Sequence, residues 1–230
     1  METYPGVALA HRFFSGTGTS YDHIVNLCTF GADRWWKKKI MSAVPPESKR
    51  IVDQACGTGI LTFKLATRFP KSHVTGVELH KEYLTIAKQK AVALHLSNVD
   101  FILGRAEEVF LNGVDCITSS YLAKYAEIPE LISNAFMMLR SGGCLIVHDF
   151  IYPPDLAFAR IWEIYFKLLQ TFGSRSYQAW KTVFAELPVL LRRTRWPAEL
   201  TAALREYAFT EIGFIPMTIG TSAMIVARKA

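Results

Sequence analysis

The stretch Ile51-Val52-Asp53-Gln54-Ala55-Cys56-Gly57-Thr58-Gly59 decides the fold: an apolar β run breaks into a glycine turn, and an amphipathic pattern over 60–69 follows at once. Gly57 and Gly59 let the backbone approach a ligand where a side chain would collide. Outward from this turn, β-type runs at 50–55, 73–78, 99–104, 114–119 and 144–150 alternate with helical patterns at 60–69, 80–95 and 128–140. Parallel strands need crossovers of this length, so the expected fold is α/β, a doubly wound sheet covered on both faces. Its first strand delivers the glycine turn to the carboxyl edge, where such sheets bind ligands.

Beyond Asp149 the pattern changes. Residues 155–172 and 176–193 read as two helices rich in Phe, Trp, Tyr and Leu with no β run between them, an inserted helical cap over 155–195. One more helix is expected over 197–212, ending near Gly213. Runs at 215–220 and 222–228 then form a closing antiparallel hairpin about Gly220 and Thr221. The first 48 residues are aromatic and partly helical up to the Pro45-Pro46 breaker, an N-terminal helical lid over the sheet. The whole of 1–230 is expected to form one domain, and 50% hydrophobic residues give it a sizeable core.

The net charge of +6, from 26 basic and 20 acidic residues, suits an acidic surface without indicating nucleic acid. Arg34, Lys37, Lys38 and Lys39 form one basic cluster and Arg192, Arg193 and Arg195 another, each beside tryptophan. Such clusters serve as solvated faces or as contacts to an anionic membrane surface. Cys28, Cys56, Cys116 and Cys144 form no CxxC pair, which argues against zinc and against a disulfide framework and for free thiols in a reducing compartment. No run approaches the ~20 apolar residues of a membrane span, and the N-terminus lacks a signal-peptide plan. The expected location is cytoplasmic, with peripheral membrane association and a homodimer both compatible with the exposed aromatics.

The cofactor is narrowed by elimination. A dinucleotide fingerprint requires a third glycine where Thr62 stands, and no Gly-Lys-Ser/Thr follows the turn. Asp53 is placed to act, directly or through water, on a cationic amino group. Glu78 ends the second strand 19 residues beyond Gly59, where a carboxylate accepts two hydrogen bonds from ribose hydroxyls. Ala55 and Leu79 complete the contacts expected from these two strand ends. With the Gly142-Gly143 turn before the fifth strand, the set describes a positively charged adenosine cofactor, S-adenosyl-L-methionine, and hence a methyltransferase.

The chain resembles the ubiquinone and menaquinone biosynthesis C-methyltransferases, class I enzymes with a Rossmann-like sheet that methylate a ring carbon of a polyprenylated quinol precursor. The resemblance runs most of the length. Its most particular part is Tyr21-Asp22-His23-Ile24-Val25-Asn26-Leu27-Cys28-Thr29-Phe30-Gly31-Ala32-Asp33-Arg34-Trp35-Trp36-Lys37. Leu139-Arg140-Ser141-Gly142-Gly143-Cys144-Leu145-Ile146-Val147-His148-Asp149-Phe150, Asp115-Cys116-Ile117-Thr118-Ser119-Ser120 and Gly213-Phe214 are further matches. By position, the resemblance implies cofactor contacts at Thr58, Glu78, Arg105, Ala106 and Ser120, with Tyr21 covering the methionine end. The chain also departs from the pattern. Val25 replaces an asparagine, Asp33 a histidine, Ser141 a proline and Asp149 a glutamate, and Tyr121-Leu122-Ala123-Lys124-Tyr125 stands where the family carries Phe-Gly-Leu/Ile-Arg-Asn.

Methyl transfer from a sulfonium is an in-line displacement, so the protein's main task is positioning. A phenolic acceptor becomes a carbon nucleophile when its hydroxyl is deprotonated, which a base or cation assists. His148 and Asp149 leave the fifth strand at the ligand edge on opposite faces, and Asp149 is the favoured base because the family keeps an acid there. Lys124 is the expected electrostatic stabiliser; Arg to Lys keeps the charge and loses the planar fork. Phe158, Trp162, Tyr165, Phe166 and Trp180 either line a pocket for an apolar ring or form the cap's own core. The expected partner is a small hydrophobic aromatic substrate, with no metal. Three other readings stay open: O- or N-methylation of another aromatic or lipid substrate, an oxidoreductase using a nicotinamide cofactor on the same fold, and a cofactor-binding scaffold without turnover.

Overall fold

The computed structural model describes residues 4–230. Among them run seven strands: β1 (Arg50–Gln54), β2 (His73–Glu78), β3 (Val99–Leu103), β4 (Val114–Ser120), β5 (Leu139–Phe150), β6 (Phe209–Met217) and β7 (Ser222–Lys229). Their order is β3-β2-β1-β4-β5-β7-β6. β1 to β5 are parallel, and β7 lies antiparallel between β5 and β6. This is the doubly wound sheet read from the alternation. The order reverses between β1 and β4, so the crevice that such a sheet offers a ligand opens beyond Gln54 and Ser120.

Period-two alternation divides the sheet residues between two cores. Val52, Ile117, Leu145 and Val147 pack with Ile132, Met138, Trp196 and Leu204 on one face. Ile51, Cys116, Cys144 and Ile146 pack with Trp36, Ile40, Leu61 and Leu65 on the other. The helices on the two sides are α6 (Ile128–Met138) with α10 (Trp196–Glu206), and α3 (Ala32–Ala43) with α4 (Ile60–Arg68). Each fully buried Leu or Ile contributes ~1.5–3 kcal/mol. Trp196, wholly buried, also donates its indole N–H to the Phe150 carbonyl at 2.7 Å, so the start of α10 is tied to the end of β5.

α1 (Pro5–Phe14) and α2 (Tyr21–Cys28) precede α3, and α5 (Lys81–Ala93) follows β2. After β5 come α7 (Leu156–Leu168), a π turn over Leu169–Gly173, the single turn α8 (Ser174–Ser176) and α9 (Lys181–Arg193). Two local features fasten α1 above the sheet edge. Glu82 on α5 accepts from the Gly16 and Gly18 amides, both at 2.9 Å. Gly6 lies so close to the Tyr125 carbonyl that a Cβ would sit 1.8 Å from its oxygen, which only glycine permits. The N-terminal and inserted helices share a third core of Phe13, Ile24, Tyr125, Trp180, Val183 and Phe184. The first three residues of the expected lid, Met1, Glu2 and Thr3, lie outside the described residues.

Three boundaries differ from the sequence reading. The helix expected over 197–212 stops at Glu206, because β6 begins at Phe209 as the outer strand of the sheet. Its register slips between Thr210 and Gly213, and positive φ at Ala208 and Glu211 hides the alternation. Pro216 is tolerated there because β6 is an edge strand. The turn of the hairpin falls at Thr218–Gly220, and β5 starts at Leu139, so the Gly142-Gly143 pair lies within the strand. Cys28, Cys56, Cys116 and Cys144 are free thiols, the last three buried.

Candidate active site

Two cavities meet beyond the carboxyl ends of β1, β4 and β5. The first lies over the glycine turn and is walled by Ala55, Gly57, Glu78, Leu79, Arg105, Ala106 and Ser120 from the sheet edge and by Gly6, Val7, Ala10, Phe14 and Tyr21 from the N-terminal helices. The second, about 460 Å³, is lined mostly by apolar side chains of α2, α3, α7, α9 and the short turn before α9, including Phe158, Trp162, Tyr165, Phe166 and Trp180. Phe14, Tyr21, Tyr121 and Tyr125 line both, and so form the wall between them.

Glu78 is the anchor of the first cavity. One carboxylate oxygen accepts from the Gly57 amide at 2.8 Å and the other from the His80 amide at 2.7 Å, which ties β2 to the glycine turn. A carboxylate has further lone pairs on both oxygens, so a vicinal diol can still be held. Burial pushes its carboxyl upward, against the pull of those amides. At Gly57, φ is +59° and a Cβ would come no closer than 3.8 Å to Tyr83, so the backbone borders open space facing Tyr21 and Tyr83. A carboxylate for a diol, a bare backbone turn and an aromatic wall fit an adenosyl sulfonium.

Three expected contacts sit elsewhere. Asp53 is buried beneath the turn, with Thr62 donating to Oδ2 at 2.6 Å and Thr118 to Oδ1 at 3.0 Å. It lines neither cavity and braces the loop, which is also the task of Thr62 in place of the third glycine. Burial pushes the Asp53 carboxyl up to about 6, opposed by the two hydroxyls and by Lys37. Thr58 donates to Asp22 on α2 and so pins the glycine loop to the N-terminal helices. Gly59 caps α4 at φ +89°, behind the cavity.

The polar groups at the junction form two buried pairs. Lys124 Nζ donates to Asp149 Oδ1 at 2.7 Å and to the Tyr121 carbonyl at 2.8 Å. Asp149 Oδ2 accepts from the Lys124 amide at 3.1 Å, and Oδ1 also accepts from the Phe150 amide at 2.7 Å. Asp149 is wholly buried and lines neither cavity, so it corrects the expectation of a base: its oxygens are committed to orienting Lys124. Lys124 does line the larger cavity. Burial drives its ammonium pKa down and Asp149 drives it back up. His148 is likewise fully buried, bonded through Nδ1 to Ser120 at 3.0 Å and packed on Trp36 at 5.2 Å, with no place on either cavity wall. Burial, then Lys37 and Lys124, hold its pKa well below the usual imidazole range.

In the second pair, the Tyr121 hydroxyl donates to Asp33 Oδ1 at 2.7 Å, and Lys37 bridges to the same carboxylate. Neither the Tyr121–Asp33 bond nor the cavity contributions of Gly6, Val7, Ala10, His80 and Tyr83 were singled out in the sequence. Small residues at 6, 8 and 10 of α1 were the available signal, since they let that helix lie close over the site.

The sheet order and the carboxylate-braced glycine loop define a class I S-adenosylmethionine-dependent methyltransferase. The model of the ubiE/COQ5 methyltransferase family matches residues 6–229, and the chain belongs to that family. It is 30% identical to the demethylmenaquinone methyltransferase of Thermus thermophilus over 220 residues, covering 94% of this chain and 99% of the relative. It is 24% identical to the ubiquinone/menaquinone biosynthesis C-methyltransferase UbiE of Dinoroseobacter shibae over 222 residues, covering 94% and 88%. Among solved structures, geranyl diphosphate methyltransferase with GPP and sinefungin superposes with a TM-score of 0.62 at 14% identity over 86% of this chain and 77% of that one. A SAM-dependent methyltransferase from Aquifex aeolicus gives 0.58 at 13% identity over 84% and 89%. These superpositions speak to the fold.

Proposed function

We propose that the chain, acting as one domain, methylates a ring carbon of a hydrophobic quinol of the demethylmenaquinol type. The observation that carries this reading is the apolar 460 Å³ cavity sharing Tyr21 and Tyr121 with the cofactor cavity, with the Lys124 ammonium on its wall. That volume suits a bicyclic ring with a short stretch of prenyl tail. The names of the relatives point to the same acceptor.

S-adenosylmethionine supplies an electrophilic methyl on a sulfonium. Glu78 would hold its ribose diol, and Ala55, Gly57, Leu79, Arg105, Ala106 and Ser120 would complete the bed. Tyr21, lining both cavities, would cover the methionine end and favour its positive charge with an aromatic ring. Lys124, fixed by Asp149, stabilises the negative charge that a ring oxygen carries as its carbon attacks, an electrostatic task that needs no proton transfer to the lysine. The aromatic side chains of α7 and α9 hold the ring in line with the methyl.

The acceptor comes from a membrane surface. Ile161, Ile164 and Leu168 form an exposed stripe on α7, and Phe30 is exposed with its ring 5.2 Å from that of Tyr165. Ile161 and Phe30 also line the cavity, so its mouth opens among them. Arg160 and Lys167 flank the stripe, an arrangement suited to anionic headgroups. No helix among the described residues is long and apolar enough to cross a membrane. The test is methyl transfer from labelled S-adenosylmethionine to a reduced prenyl-naphthoquinone, with the product's new methyl located by NMR. A ring C–CH3 supports the proposal, an O–CH3 moves the chain to the O-methylation reading, and tight cofactor binding without turnover on any quinol favours a scaffold.

A further inference from the structure

The two departures at 33 and 121 meet in one hydrogen bond. A family phenylalanine at 121 has no hydroxyl, and a histidine at 33 has no carboxylate, so this contact belongs to the present chain. Tyr121 lines both cavities, its ring lies on Phe150 at 4.8 Å with an interplanar angle of 13°, and its backbone is held at φ 72°. A tyrosine in the left-handed region is costly and persists only where its surroundings fix it. The hydroxyl reaches Asp33 on α3, whose neighbours Ala32 and Trp36 line the acceptor cavity. Asp33 is 4% exposed and salt-bridged to Lys37, which holds it in place as an acceptor.

A phenol has one proton to donate. Tyr121 gives its proton to Asp33, so its oxygen has only lone pairs to offer a further partner. We infer that the Tyr121–Asp33 pair makes the acceptor cavity selective for oxidation state, receiving the O–H of a hydroquinone and rejecting the carbonyl of the corresponding quinone. A hydroquinone donates to the Tyr121 oxygen, whereas a quinone carbonyl faces it lone pair to lone pair. Lys124 does not discriminate, because an ammonium donates to either oxygen. The selection serves the reaction proposed above, on which this inference rests, since only the reduced ring is electron-rich at carbon and an oxidised ring would occupy the cavity without turnover.

The experiment compares binding of 2-prenyl-1,4-naphthohydroquinone and its quinone to protein loaded with S-adenosylhomocysteine, titrated anaerobically. Wild type is expected to hold the hydroquinone roughly ten- to a hundredfold more tightly, the range of one hydrogen bond between partly charged partners. Tyr121→Phe should bring the ratio within about threefold. Asp33→Asn can donate its amide to the Tyr121 oxygen and release the phenol proton, so it should narrow the preference or reverse it. Retained S-adenosylhomocysteine binding and an unaltered melting profile identify folded variants, and Asp33→Asn decides should Tyr121→Phe not fold. A ratio near one in wild type, or one that persists in both variants, would overturn the inference while leaving the quinol reading intact. Failure of wild type to bind either ring form would overturn the quinol reading itself, and this inference with it.

Discussion

The two cavities share four side chains and are built on opposite principles. The cofactor cavity rests on the sheet: strand ends and a glycine turn set its shape, and Glu78 is held by two backbone amides. The acceptor cavity is lined by residues spread from Phe14 to Thr221, most of them on helices outside the sheet. The first is therefore fixed by geometry that every chain of this topology repeats. The second is free to vary, and the departures from the family at 33, 121, 124 and 149 all gather along its junction with the first. They do so in partnered sets, Tyr121 with Asp33 and Lys124 with Asp149, where Lys–Asp stands for the longer Arg–Glu.

The largest expected effect tests whether the junction is structural as well as electrostatic. Lys124→Met leaves Asp149 buried and unpaired and should lower stability by about 3–5 kcal/mol in denaturant unfolding. Adding Asp149→Leu should recover most of it without restoring turnover. Lys124→Met alone folding as well as wild type would show that Asp149 is solvated, breaking the contrast drawn here.

The sheet side carries its own strain at Asp53. Its carboxyl is near 6 in the folded protein against an ordinary 3.8, so the folded state binds the proton more tightly than the unfolded chain. Stability from this group is complete below 3.8 and is lost as pH rises through about 6. The shift corresponds to about 3 kcal/mol. Asp53→Asn, with Thr62 and Thr118 still in place to bond it, should flatten that part of the stability–pH curve. An unchanged slope across this window would place the titration elsewhere. Glu78→Ala comes next: S-adenosylhomocysteine affinity should fall by about 2–3 kcal/mol in calorimetric titration, the cost of two hydrogen bonds to a charged acceptor. The same change should leave binding of a prenyl-naphthohydroquinone nearly untouched. Equal loss for both ligands would mean that the cavities are one site energetically.

This division also explains what the sequence made legible. β2 falls on the expected residues, His73–Glu78, and β1, β3 and β4 lie within a residue of theirs, because buried parallel strands are continuous apolar runs with helices between. Glu78 stands at the end of β2 on the wall of the first cavity, the place its spacing from the glycine turn predicts. The role of Asp53 was not legible in the same way, because the same Asp serves a ligand or a loop, and only the positions of Thr62 and Thr118 decide which. Asp149 was misplaced for a related reason: strand alternation gives the face of a side chain and not its partner, and Lys124 approaches from a loop 25 residues away. The first part of β6, over 209–212, was read as helix because a bulged edge strand has neither period, while its end fell within the expected β run at 215–220. The aromatic residues of α7 and α9 were left between core and pocket, and they serve as both, packing on one another while lining the cavity.

The smallest effect concerns the outer rim of the acceptor side, which has no counterpart on the cofactor side. Ile164 and Leu168 are 58% and 51% exposed on α7 and line neither cavity, so replacing them costs the fold little. Exposed apolar side chains of this kind gain ~1 kcal/mol or more each on entering a lipid interface. Ile164→Glu with Leu168→Glu should therefore weaken sedimentation with vesicles containing anionic lipid by roughly ten- to a hundredfold, with repulsion from the headgroups adding to lost burial. Turnover of a detergent-dispersed short-prenyl acceptor should stay within about twofold if the two residues act at the rim alone. Vesicle binding unchanged by the double substitution would remove α7 from the membrane face. Loss of turnover in detergent would instead draw the rim into the cavity, and the acceptor side would then be specified as tightly as the sheet edge it adjoins.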